Sequence, residues 1–360
     1  MAIVSPLFES VPPKLYGGTE RVVSFLTEEL VRRGHHVTLF ASGDSVTAAQ
    51  LVPCCPASLR LDPGSIDQFA HHIRMLEEVY RRASEFDVIH FNIDYMHFPL
   101  ARRQGVPYVT TLHGRQDLPD LEPLYRTYSD APLVSISDSQ REPLPFANWV
   151  GTVHHGLPAA PLTFHPGPGK YLAFLGRISR EKRVDRAIEL AKHVSMPIKI
   201  AAKVDRADRE YFEAEIKPLL DDPLVDFVGE INESQKDEFL GNAAALLFPI
   251  DWPEPFGLVM IEAMACGTPI VAFRRGSVPE VMKDGVSGYI VSDMDQARSA
   301  TERVLSLSRA GCREYFEQRF TVERMAADYE KVYHGLVSTR RPDAALRRGP
   351  LALVETAEAS

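Results

Sequence analysis

The sequence predicts an α/β protein built from two successive doubly wound domains. Three observations carry this. The chain is 360 residues long, and a single core rarely grows past about 250–300 residues. Short apolar runs alternate with helical segments almost throughout, the signature of parallel sheets wrapped by helices. Between them, residues 156–169 hold Pro158, Pro161, Pro166 and Pro168, a linker after which the alternation restarts.

The first domain is expected at 1–157. A buried strand at 2–6 and a loop with Pro12-Pro13 lead to Gly17-Gly18-Thr19-Glu20. These open a helix to about Arg33, with Val22, Phe25, Leu26 and Leu30 at helical spacing, and Gly34 ends it. A strand at 37–41 follows. A helix over 66–83 is expected to bury Ile73, Leu76 and Tyr80. Strands are predicted at 87–91, 108–112, 133–136 and 149–154. Short helices fall at 98–104 and 138–144, with Asp138 as N-cap of the second. Residues 53–64 and 115–123 read as loops. After the linker at 158–169 comes the second domain, 170–313. Its strands fall at 171–175, 198–202, 225–228, 244–248, 270–272 and 289–291. Its helices fall at 184–194, 208–220, 235–242, 256–265 and 295–309. Residues 314–336 read as closing helices, and 337–360, lacking an apolar face, as a disordered tail.

One stretch organises the rest, Phe248 to Ala272. It reads as strand, proline-held loop, helix and strand. Glu254 sits in the loop and Glu262 inside the helix. Between them the backbone N–H groups of Phe256, Gly257 and Leu258 are the unpaired donors of a helix N-terminus, which favours phosphate. Gly257 lets a ligand approach the backbone. Glu254 is either an N-cap or an acceptor for ligand hydroxyls, and Glu262 either a solvated helix face or a second such acceptor.

Other candidates lie at the carboxyl ends of predicted strands, where such sheets bind ligands. Gly17-Gly18 precede a helix, and Glu20 is a site residue or a first-turn charge. His113-Gly114 follow the strand at 108–112. Asp94 follows the strand at 87–91. Arg177 and Lys182 flank a strand-to-helix loop and suit a diphosphate. Arg180 and Arg183 read as solvent facing.

With its context, the E-x7-E pair of Glu254 and Glu262 resembles the signature of retaining glycosyltransferases of family 4, the glycogen-synthase-like group with the GT-B fold, which implies two Rossmann-like domains facing a central cleft. Gly17-Gly18-Thr19-Glu20, His113-Gly114 and Gly176-Arg177 with Lys182 match further motifs of that family in the same order. The resemblance spans roughly residues 2–335. It implies transfer of a hexosyl group, of glucosyl type, from a nucleotide diphosphate sugar with UDP the commonest, and with anomeric configuration retained. His113, Arg177, Lys182 and Glu254 would be catalytic. Gly17, Gly18, Asp94, Phe256, Gly257, Leu258 and Glu262 would bind substrate, Asp94 on the acceptor side. The backbone at 228–231 would meet the base, and the last helix would cross back to the first domain. Arg275-Gly276-Ser277-Val278-Pro279-Glu280 departs from the family's Gly-Gly-x-Pro-Glu, and His154-His155-Gly156 from its Asn-Gly. A nucleotide-sugar epimerase and a non-catalytic nucleotide-sugar-binding protein share the fold. Cofactor-dependent phosphorylases of the fold are far longer and need a lysine that no stretch here suggests.

Composition narrows the classes. The net charge of -9 argues against a nucleic-acid binder, which carries a basic face. The four cysteines form neither a zinc pattern nor a secreted disulfide framework, and Cys266 reads as a core residue. Asp293-Met294-Asp295 reads as a turn and helix cap. Metal independence is therefore expected, with no cofactor beyond the nucleotide-sugar co-substrate. No run approaches the length of a membrane span and no signal peptide is evident. The expected setting is cytoplasmic, with peripheral membrane contact compatible with a small-molecule, saccharide or lipid-linked acceptor.

Overall fold

A computed structural model describes residues 1–14, 17–60, 62 and 64–338. Among them, one seven-stranded sheet comprises β1 (Ala2–Val4), β2 (Thr38–Ser42), β3 (Gln50–Cys55), β4 (Ile89–Phe91), β5 (Tyr108–Thr111), β6 (Leu133–Ser135) and β7 (Trp149–Thr152). A six-stranded sheet comprises β8 (Tyr171–Arg177), β9 (Ile198–Lys203), β10 (Val225–Gly229), β11 (Ala243–Phe248), β12 (Ile270–Phe273) and β13 (Gly288–Val291). The orders are β3-β2-β1-β4-β5-β6-β7 and β10-β9-β8-β11-β12-β13. Every pairing is parallel. Each sheet reverses direction of winding once, between β1 and β4 and between β8 and β11, and ligands of such sheets bind at that switch.

The helices are α1 (Gly18–Arg32), α2 (Gln68–Arg81), α3 (Phe98–Ala101), α4 (Leu121–Thr127), α5 (Val184–His193), α6 (Arg209–Tyr211), α7 (Glu233–Gly241), α8 (Leu258–Ala265), α9 (Val278–Val281), α10 (Met294–Val304), α11 (Arg309–Arg319) and α12 (Val322–Ser338). Central strands are apolar because helices cover both faces; β11, Ala-Ala-Ala-Leu-Leu-Phe, is buried throughout. Each sheet has a core on either face. After α11 the chain turns back, and α12 buries Val322, Met325, Ala326, Tyr329 and Tyr333 against Val22, Leu26 and the first sheet. Tyr333 Oη is 2.8 Å from His90 Nδ1, and Arg33 binds Glu330 at 2.6 Å.

Several expectations are corrected. β3 runs into the segment 53–64 and α4 begins within 115–123, both expected as loops. Pro53 and Pro123 obscured them, yet proline is tolerated in an edge strand and in a first helical turn. The short α9 was likewise not anticipated. α2 buries His72, Met75, Leu76 and Val79, whereas Ile73 is 49% exposed. The helix expected over 208–220 is broken, with a wide π turn at Phe212–Ile216 and a tight turn at Lys217–Leu219. Pro218 has no N–H to sustain regular bonding there. α10 ends at Val304, short of 309. Asp138 is not a cap: its carboxylate accepts from Thr152 Oγ1 at 2.5 Å. The N–H groups of Asp138 and Ser139 instead donate to the Glu280 carboxylate, both at 2.7 Å. That bond joins the two halves and is invisible to local sequence. Of the expected tail, Val337 and Ser338 belong to α12, and 339–360 lie outside the described residues.

Candidate active site

The two switch points face each other across a solvent-open cavity of about 540 Å³. Gly17, Gly18, Asp94, His113, Arg177, Lys182, Glu254, Phe256, Gly257, Leu258 and Glu262 all line it. They come from five strand ends. Gly17 and Gly18 follow β1, Asp94 follows β4, His113 follows β5, and Arg177 ends β8. Lys182 lies in the loop after β8, and the stretch after β11 supplies the remainder. The halves approach closely, since a Cβ on Gly18 would lie 3.7 Å from Leu258 Cδ1.

α8 starts at Leu258, with Gly257 in the left-handed region at φ +77°. This turn aims the first N–H groups of α8 at the cavity. The Phe256 side chain is core, packed edge-on to His155 at 4.7 Å, so only its backbone faces a ligand. Glu254 is 8% exposed and does not cap α8. Its backbone oxygen accepts from Ser277 N at 2.9 Å, and Ser277 Oγ donates to Phe256 O at 2.9 Å. Glu262 is 3% exposed, so the solvated-face alternative is excluded.

Both carboxylates are paired with cations. Lys182 Nζ donates to Glu254 Oε2 and lies 4.8 Å from the Trp252 ring centroid, a cation–π contact. Lys236 Nζ donates to Glu262 Oε1 at 2.6 Å. Arg177 donates to Glu181 at 2.8 Å, with Asp208 at 3.7 Å and Asp205 at 3.8 Å. The cavity thus carries fixed positive charge around the α8 terminus, held by neighbouring carboxylates. Arg180 faces solvent as expected. Arg183 does not, bonding Asp185 at 2.7 Å and reaching Asp251 at 3.4 Å.

On the facing wall, His113 Nε2 is 2.8 Å from Asn92 Oδ1. The amide oxygen accepts, so Nε2 carries the proton and Nδ1 is a buried acceptor with no partner among the described residues. Burial pushes the imidazole down to about 4, which keeps it neutral. The His155 ring stacks on it at 5.5 Å. Asp94 is exposed and has φ +51°. Glu20 is 5% exposed and lines the cavity, and burial raises its carboxyl, partly offset by hydrogen bonds from backbone N–H groups. Within 228–231, Glu230 and Ile231 line the cavity.

Sequence reasoning missed Arg21, Asn92, His155, Lys236 and Trp252, all cavity residues. Arg21, directly after Gly-Gly-x-Glu, had a positional signal. Lys236 had none, because its partner Glu262 is 26 residues away. Asp293 caps α10 by accepting from Gln296 N at 2.8 Å, as expected for a turn. Cys266 is fully buried.

Among known proteins, residues 16–137 match the family model "Glycosyltransferase Family 4" and residues 163–319 match "Glycosyl transferases group 1". A D-inositol 3-phosphate glycosyltransferase of Thermobifida fusca is 25% identical over 337 residues, covering 78% of each chain. Among solved structures, the sucrose-phosphate synthase of Thermosynechococcus elongatus superposes with a TM-score of 0.77 at 18% identity, over 94% of this chain and 98% of that one. The Anabaena protein HepE, solved with UDP and glucose, superposes with a TM-score of 0.70 at 16% identity, over 93% and 99%. Two family models in chain order, curated relatives that are glycosyltransferases and two parallel sheets meeting at their switch points agree. The chain belongs to the family 4 type of nucleotide-sugar-dependent glycosyltransferases with the GT-B fold.

Proposed function

We propose that this chain transfers a hexosyl group, of glucosyl type, from a UDP-linked donor to an acceptor hydroxyl, with retention at the anomeric carbon and without a metal ion. The observation that carries this reading is the grouping of Glu254, Lys182 and Arg177 at the α8 terminus, opposite His113, in one cavity. The UDP and glucose bound by the Anabaena relative support the choice of donor.

In this reading the diphosphate lies against the α8 N–H groups, Arg177 and Lys182. Its negative charge competes with Glu254 for Lys182, which frees the carboxylate for sugar hydroxyls. Glu262 takes the ribose hydroxyls. His113, held neutral by burial, lines the sugar end of the cavity. The bond from the anomeric carbon to the diphosphate breaks as that from the acceptor oxygen forms, on the same face. The acceptor proton passes to the departing diphosphate oxygen. Positioning and charge stabilisation lower the barrier. Two cations and a helix terminus supply the countercharge that a metal would otherwise give. The acceptor enters beside Gly17, Gly18 and Asp94.

The test is thermal unfolding across a panel of nucleotide sugars. A ligand at one hundred times its dissociation constant should stabilise by about 2.7 kcal/mol, with UDP-glucose expected among the protective members. Arg177→Ala should fold normally and lose turnover strongly; an undiminished rate would overturn the assignment. No protection by any nucleotide sugar would overturn the reading altogether.

A further inference from the structure

Arg21, on α1 of the first half, is the cation that crosses to the second half beside Glu262. Its guanidinium is 2.8 Å from Glu233 and 3.9 Å from Glu262. Lys236 lies 2.6 Å from Glu262 and 3.2 Å from Glu233. The side chains of Arg21 and Lys236 are each 9% exposed and that of Glu262 is 4%. Charges this far from water need close partners, because removing one leaves the other uncompensated. Glu233 and Lys236 stand one turn apart on α7, whose start is held by Gln235 Oε1 accepting from Asn232 N at 3.0 Å. α8, which carries Glu262, buries Met260, Ile261, Ala263, Met264 and Ala265 in the core. The network therefore ties three helices from both halves to one carboxylate.

We propose that Lys236 and Arg21 are positioning residues for Glu262. Lys236 holds the carboxylate in one rotamer by occupying Oε1, and Arg21, through Glu233, makes that setting depend on how closely the two halves approach. Nucleotide binding and closure of the cleft are then coupled, since the carboxylate that receives ribose also belongs to the ion network that joins the halves. The inference rests on the reading that Glu262 takes the ribose hydroxyls. A structural role alone would lower stability in each variant without altering which hydroxyls matter.

The test measures binding of UDP, 2′-deoxy-UDP and 3′-deoxy-UDP by calorimetry to the wild type, Lys236→Met, Lys236→Arg, Arg21→Gln and Arg21→Lys, with melting temperatures alongside. The wild type should lose about tenfold or more in affinity when the relevant hydroxyl is absent, the loss of one charge-assisted hydrogen bond. Lys236→Met should bind UDP about tenfold more weakly and no longer discriminate against the deoxy form. UDP should compact the wild type in small-angle scattering, and no compaction would overturn the coupling; Arg21→Gln should weaken UDP and abolish that compaction, and Arg21→Lys should restore part of both. The conservative lysine and arginine variants keep the test meaningful if a neutral variant fails to fold. Full discrimination in folded Lys236→Met, or wild-type UDP affinity and compaction in folded Arg21→Gln, would overturn the inference and leave the donor assignment intact. A wild type that binds UDP but ignores both hydroxyls would overturn the role of Glu262 itself. A wild type that does not bind UDP would overturn the donor assignment.

Discussion

Replacing Gly276 with alanine tests how finely Glu254 must be placed. Gly276 adopts φ +51°, where an alanine costs about 1 kcal/mol. Its missing Cβ would also fall on the backbone of Glu254 and 2.7 Å from the carbonyl carbon of Pro253. Carbon atoms rest about 3.5–4.0 Å apart, so the loop must retreat by roughly 1 Å. The adjacent Ser277 bonds, to Glu254 O and Phe256 O, would carry the shift into the whole turn. A misplacement of about 1 Å costs on the order of 10²-fold in rate, or about 2.7 kcal/mol of barrier. The assay is nucleotide release from UDP-glucose, measured with UDP affinity and melting temperature. Gly285→Ala is the control, because Gly285 has φ +72° but nothing within 4 Å of a Cβ. Both variants should lose stability from the left-handed φ, Gly276→Ala further from the clash, and only Gly276→Ala should lose turnover. Equal turnover in folded Gly276→Ala and Gly285→Ala would refute the reasoning.

Three further outcomes are expected. Lys182→Met strands Glu254 beside Trp252 and removes a diphosphate cation, so turnover should fall by about 10²–10³-fold; an unchanged rate in a folded variant would place the diphosphate elsewhere. Turnover should persist in excess EDTA, and a loss restored by Mg²⁺ or Mn²⁺ would contradict metal independence. Stability should fall on acidification below about pH 6.5. His90 is fully buried between Tyr333 and Thr111, and burial, with the nearby His113, pushes its imidazole down to about 3. The unfolded chain therefore binds the proton first, and stability rises with pH across this window. His90 alone contributes a loss of about 2 kcal/mol between pH 6.5 and 5. His90→Gln should flatten the slope of melting temperature against pH, and an unaltered slope would assign the acid sensitivity to other groups.

The site was legible where function resides in short, local patterns. Glu254, Gly257 and Glu262 sit on one turn and helix, so their spacing shows their common aspect. His113 and Arg177 follow or end apolar strands, and a strand's carboxyl end is readable from its last buried residue. The partners that hold these groups were not legible. Asn92 orients His113 across a strand pairing, and Lys236 reaches Glu262 from another helix. Local patterning misjudged α2 as well, where Ile73 is open to water and His72 is buried to donate from Nδ1 to Gln68 O. There Nε2 accepts from Leu7 N at 3.2 Å, and a satisfied polar group is cheap to bury.

Periodicity and composition by themselves determined the two-domain α/β character, the parallel sheets and the separation of their strands at the linker. These follow from local burial requirements that each segment expresses alone. Tertiary structure alone decided that Glu254 would be held by Lys182, Glu262 by Lys236 and Arg21, and the turn after β6 by Glu280. Such pairings depend on the approach of segments distant in the chain. For carboxylates as buried as Glu254 and Glu262, that approach determines whether each is an uncompensated charge or an oriented acceptor.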